Sequence, residues 1–117
     1  MANEITVSAT LRYAKAKAAA SLATSFTASQ TGDKYEAGIQ QIGTTEEAVQ
    51  QGDIGTICYI AVRNMDATNY VEFGAVTAQY TVKLLPGEGA VVPWKRSALL
   101  AKANTAAVEV EYLLIEA

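Results

Sequence analysis

Polar and apolar residues alternate along "EITVSATLRY", with Ile5, Val7, Ala9, Leu11 and Tyr13 on one side and Thr6, Ser8, Thr10 and Arg12 on the other. A period of two predicts a half-buried strand. The alternation fades in "AKAKAAASLA", where Ala and Lys suit about two helical turns but supply no wide apolar stripe. A linker or short helix is expected there. "SLATSFTASQ" resumes as a Thr/Ser-rich strand with Leu22, Thr24, Phe26 and Ala28 on one face, "TGDK" reads as a turn, and "YEAGIQQIG" as a third strand. "TTEEAVQQGDIGT" is expected to be a loop with at most one helical turn. "ICYIAVRNM" is almost continuously apolar and predicts a central strand covered on both faces. "NYVEFGAV" and "TAQYTVKLL" are strand-like, "PGEG" is a turn, "AVVPW" is a short strand ended or bulged at Pro93, and "AAVEVEYLLIEA" is the last strand. Many short strands with turns between them and no long helical pattern predict an all-β chain, an antiparallel sandwich or barrel of about eight to nine strands.

Composition narrows what such a fold does. A chain of 117 residues fits one domain, 1–117, and its 50% hydrophobic content supports a packed core without disulfides. The net charge is −3, and the basic residues are scattered apart from Lys15/Lys17 and Lys95-Arg96, so no stripe follows a phosphate backbone and nucleic acid is not an expected partner. With one cysteine, Cys58, and no histidine, an internal disulfide, a Cys/His zinc site and imidazole catalysis are excluded. "MANEITVSATLRY" lacks the pattern of a secretion signal and no apolar run approaches ~18 residues, so a soluble product made in a cytoplasm, with no membrane partner, is expected.

The candidate chemistry is sparse. Asp66, Thr68, Asn69 and Glu72 in "RNMDATNYVEFG" offer oxygen atoms, but two carboxylates fall short of a calcium loop, and Asp, Thr and Asn readily bond to nearby backbone. A structural turn is the preferred reading. Cys58 sits in the most apolar strand with no cation nearby in sequence, which suits a buried, inert thiol. Glu46 and Glu47, after Thr45, read as a solvated face or a helix start in preference to acid/base groups. Trp94, next to Lys95 and Arg96, either contacts a partner or plugs one end of the core. No catalytic, cofactor or metal site is singled out.

Taken in order, "IGTTEEAV", "GDIGT", "RNMDATNYVEFG", "KLLPGEGAVVPW" and "KANTAAVEVEYLLIEA" resemble a family of small virion structural proteins of tailed bacteriophages, with a weaker echo in "MANEITV". The likeness spans most of residues 39–117 and rests on order and spacing. Arg12 to Tyr35 departs from the pattern. The resemblance implies a jelly-roll-like sandwich acting as a non-enzymatic cement or decoration protein on the phage head, made in the bacterial host cytoplasm. Its expected partners are the major capsid protein and itself, as a dimer or trimer. The expected contacts are Lys15 and Lys17, in the stretch least explained by a core, and the corner Trp94, Lys95 and Arg96, an aromatic anchor with two cations. The other classes are a head-fibre, tail or host-recognition module, which needs Trp94, Tyr70, Tyr80 or Tyr112 exposed on one patch, and an enzyme, for which no nucleophile or carboxylate pair stands out.

Overall fold

The computed structural model describes residues 3–117, and its contacts divide the chain at Thr31/Gly32 into two compact units. The first holds a ribbon of β1 (Ile5–Lys15) and β2 (Ala18–Ala28), antiparallel and in register from Ile5↔Ala28 to Lys15↔Ala18. The second, here the body, holds β3 (Tyr35–Ile42), β4 (Glu47–Ala48), β5 (Ile57–Asn64), β6 (Val71–Gly74), β7 (Val82–Leu84), β8 (Gly89–Arg96), β9 (Leu100–Ala103) and β10 (Val108–Glu116). Among the described residues there is no helix, hence none long and apolar enough to cross a membrane.

The body forms two four-stranded antiparallel sheets, ordered β3-β10-β5-β8 and β4-β9-β6-β7. Numbered from one to eight along the body, the strands read 1-8-3-6 and 2-7-4-5, the order of a jelly roll. Alternation builds the interior. Val108, Val110, Tyr112 and Leu114 of β10 are buried, while Glu109, Glu111 and Leu113 face outward. They join Ile42, Ile60, Val62 and Trp94 from the same sheet and Val71, Phe73, Leu84, Ala101 and Ala103 from the other in one core. Each fully buried large side chain stabilises by roughly 1.5–3 kcal/mol.

Turn chemistry sets the register. Leu85-Pro86-Gly87-Glu88 is a type II turn, with Pro at the second position, Gly87 at φ +82° and a hydrogen bond from Glu88 N to Leu85 O at 3.0 Å. Pro93 lies in β8, at the edge of its sheet and beside the irregularity between Ile57 and Tyr59, where a missing N–H is tolerated.

Three expectations need correction. "AKAKAAASLA" is neither linker nor short helix: β1 runs on to Lys15, Ala16 and Lys17 turn, and β2 begins at Ala18. So short a run is a marginal helix, and pairing of Arg12–Lys15 with Ala18–Ser21 satisfies its backbone instead. The loop after Thr45 contains β4 rather than a helical turn, because Glu47 and Ala48 pair with Ala101 and Leu100. Central strand β5 is covered fully on one face only, since on the other Tyr59 is buried but Ala61 is half-buried and Arg63 exposed. Strand β9 was not anticipated, and it brings the described strands to ten.

Candidate functional site

The Asn64–Asn69 corner consumes its own polar atoms. Asn64, 1% exposed, donates through Nδ2 to Asn69 O at 2.9 Å and Leu84 O at 3.1 Å, and its Oδ1 accepts from Asp66 N at 2.8 Å. Asp66 Oδ2 in turn accepts from Asn69 N at 2.7 Å and Thr68 N at 2.9 Å. These two backbone donors, Asn69 first, hold the Asp66 carboxyl below its ordinary range. Thr105 Oγ1 donates to Asn69 Oδ1 at 2.8 Å, fastening the corner to the loop between β9 and β10. The corner is therefore a hydrogen-bonded turn. Among the described residues no three His, Cys, Asp or Glu side chains cluster as metal ligands.

The loop carboxylates also act as struts. Glu46 accepts from Ala78 N at 2.8 Å and from the Tyr80 hydroxyl at 2.5 Å. The Ala78 amide, then the Tyr80 hydroxyl, lower the Glu46 pKa, and the same carboxylate pushes Tyr80 up to about 12. Glu47 accepts from Gly43 N at 3.0 Å and Gln40 Nε2 at 3.2 Å.

The five residues expected at a partner surface fall on both units. Lys15 ends β1 and Lys17 lies in the turn of the ribbon, both exposed. Trp94, Lys95 and Arg96 belong to β8 in the body. Trp94 is 8% exposed and its Nε1 donates to Ala98 O at 2.7 Å, so the indole plugs the core and only Lys95 and Arg96 of this corner are exposed. Lys95 is engaged, with Nζ 2.9 Å from Cys58 Sγ and 4.2 Å above the Tyr59 ring. The hydrogen bond to Cys58 is the leading reason its pKa is raised. Sequence reasoning missed this contact. Only the β5/β8 register, Ile57↔Arg96 and Tyr59↔Pro93, sets Lys95 opposite Cys58.

The four aromatic residues expected on a recognition patch, Trp94, Tyr70, Tyr80 and Tyr112, do not share an exposed surface. Trp94 and Tyr112 are buried, Tyr80 is tied to Glu46, and half-buried Tyr70 lies under Lys83 Nζ at 4.1 Å. The half-buried strand expected at the start of the chain is buried only at Ile5 and Val7, and residues Ser8–Thr27 of the ribbon are all exposed. Comparison with protein-family models, curated proteins and solved structures returns no match.

Proposed function

We propose that the protein is a non-enzymatic structural component of a tailed-phage virion, a cement that sits on the head and ties neighbouring subunits together. The observation that carries this reading is the ribbon, a cationic β arm with exposed apolar side chains, attached in sequence to a jelly-roll body whose polar loop groups are spent on holding the fold. Jelly rolls serve in viral capsids and in lectins alike, so fold alone does not choose between them. The resemblance of residues 39–117 to small virion proteins favours the capsid, and the burial of Trp94 and Tyr112 takes those two rings out of the aromatic patch expected of a host-recognition module. The major capsid protein is the proposed partner, and repetition over a closed shell makes weak individual contacts effective.

Heads stripped of the protein are expected to release their genome at a lower temperature than decorated heads, and purified protein added back should restore the difference in proportion to occupancy. Equal rupture temperatures, together with loss of adsorption to the host, would overturn the cement reading in favour of host recognition.

A further inference from the structure

The ribbon presents large apolar side chains to solvent. Leu11 and Leu22, directly opposite one another, are 75% and 74% exposed, and Tyr13 on the same face is 55% exposed. A two-stranded ribbon is marginal in water unless something covers one face, and an apolar patch of this kind marks a contact surface.

A matching surface lies elsewhere on the same chain. On the outer side of the β3-β10-β5-β8 sheet, Tyr35, Ile39, Leu113 and Val91 are 67%, 56%, 39% and 48% exposed. The register sets Ala37, Leu113, Ala61 and Val91 in one row across the four strands. Charge agrees with this pairing. Ile5–Ala28 carries Arg12, Lys15 and Lys17 with no acidic residue, net +3, whereas Gly32–Ala117 carries six basic and eleven acidic residues, net −5. Glu109 stands on the same outer face as Leu113, as does Glu111, which is ion-paired with Arg63 across β10 and β5, so the attraction comes from the net charge of the body and from Glu109.

We propose that this outer face is the docking site for the ribbon of a second copy of the chain, each copy giving one ribbon and receiving one. The proposal rests on reading the ribbon as the reaching element of the cement, and it names what the ribbon reaches. Dimensions fit. The apolar stretch Ala9–Tyr13 extends ~17 Å at ~3.4 Å per residue, and four strands ~4.8 Å apart span ~19 Å. Across that ~19 Å span a ribbon about 10 Å wide covers about 190 Å², and one ribbon given with one received makes about 380 Å² per partner, under half of the ~800 Å² of a standard interface. The contact is therefore weak and concentration-dependent, and reciprocal exchange doubles what a single ribbon would bury. Unlike charges speed the encounter, and the apolar rows hold the complex.

Cross-linking in full-length protein with Cys58→Ser tests the docking. Chains carrying Leu22→Cys, mixed with chains carrying Leu113→Cys and mildly oxidised, should form mixed disulfide dimers. The yield should exceed by about tenfold that of Ser21→Cys, on the opposite ribbon face, with Leu113→Cys. In sedimentation the wild type should associate into a closed dimer or small ring. Leu11→Glu with Leu22→Glu, or Ile39→Glu with Leu113→Glu, should each weaken association at least about tenfold, a loss of about 1.4 kcal/mol, while circular dichroism stays that of the folded protein. A Leu22→Cys, Leu113→Cys double variant that closes within one chain overturns the proposal, as does a wild type that stays monomeric at every concentration. Cross-linked copies that fail to bind phage heads would leave the inference standing and remove the virion reading. Monomers that load onto heads, with the ribbon protected only there, would do the reverse.

Discussion

Asn64 holds the corner between β5 and β6 because its amide serves both sides at once, donating to Asn69 O and Leu84 O and accepting from Asp66 N. Asn64→Ala leaves two carbonyls and one amide short of a partner in a buried place, so we expect a loss of about 2–3 kcal/mol in urea unfolding. Asp66→Asn keeps an acceptor oxygen and should cost less. The ordering reverses if the corner binds a metal, because then the carboxylate matters more than the amide. The lowered pKa values of Asp66 and Glu46 also fix the sign of the acid response. A carboxyl whose folded pKa lies below its unfolded value contributes stability that is fully present above the unfolded value, near 3.8 for Asp66 and 4.5 for Glu46, and is lost as pH falls through the folded value. Melting temperature should drop over that acid range, and Asp66→Asn with Glu46→Gln should flatten the drop. The turn was legible at this scale because Asp, Thr and Asn carry their turn chemistry with them. The Lys95–Cys58 contact was not, because it joins residues 37 apart in sequence and depends on how β5 and β8 are aligned.

The ribbon shows how pairing overrides local preference. Ala18–Ala20 favours helix by composition, yet lies in β2 opposite Tyr13–Lys15, and nothing within the segment announces the partner strand. Strand β9 escaped notice for a related reason: "LAKA" has no β-branched residue, and its Ala101 and Ala103 are buried by pairing with Phe73 and Val71. Elements with their own pattern, such as β10 with its alternating Val, Tyr and Leu, were readable directly. The ribbon's two-residue turn carries one positive φ, +54° at Ala16, the arrangement of a type II′ turn, which prefers Gly at that position. A left-handed L-residue costs roughly 1–2 kcal/mol, partly offset by the extra freedom of Gly in the unfolded chain. Ala16→Gly should therefore stabilise the ribbon by about 1 kcal/mol, slowing amide exchange in Thr10–Lys15 about fivefold, whereas Ala16→Val should speed it. Unchanged exchange in both variants would show that the turn does not limit ribbon opening.

At the scale of the whole chain, stability is expected to be uneven. In the body, strands such as β5 and β10 each pair on both sides and bury Ile57, Ile60, Val108, Val110 and Leu114 completely, so their amides should open only with global unfolding. In the ribbon, each strand pairs with one neighbour and Ser8–Thr27 are exposed, so its hydrogen bonds face water along both edges. Opening there costs little in apolar burial, and a ribbon of this kind is marginal by itself. Hydrogen exchange on dilute protein should accordingly give two classes, with the amides of Ser8–Thr27 exchanging well before those of β5 and β10. Raising the concentration should slow the ribbon amides while leaving β5 and β10 unchanged, because docking onto a second copy stabilises the ordered ribbon by mass action and adds nothing to strands already limited by global unfolding. Higher salt should weaken that slowing in part, since screening acts on the contribution from the +3 ribbon and the −5 body while the apolar rows remain. A ribbon as protected as β5 in dilute solution would mean that its face is already covered within one chain, and the second copy would then have no place to dock.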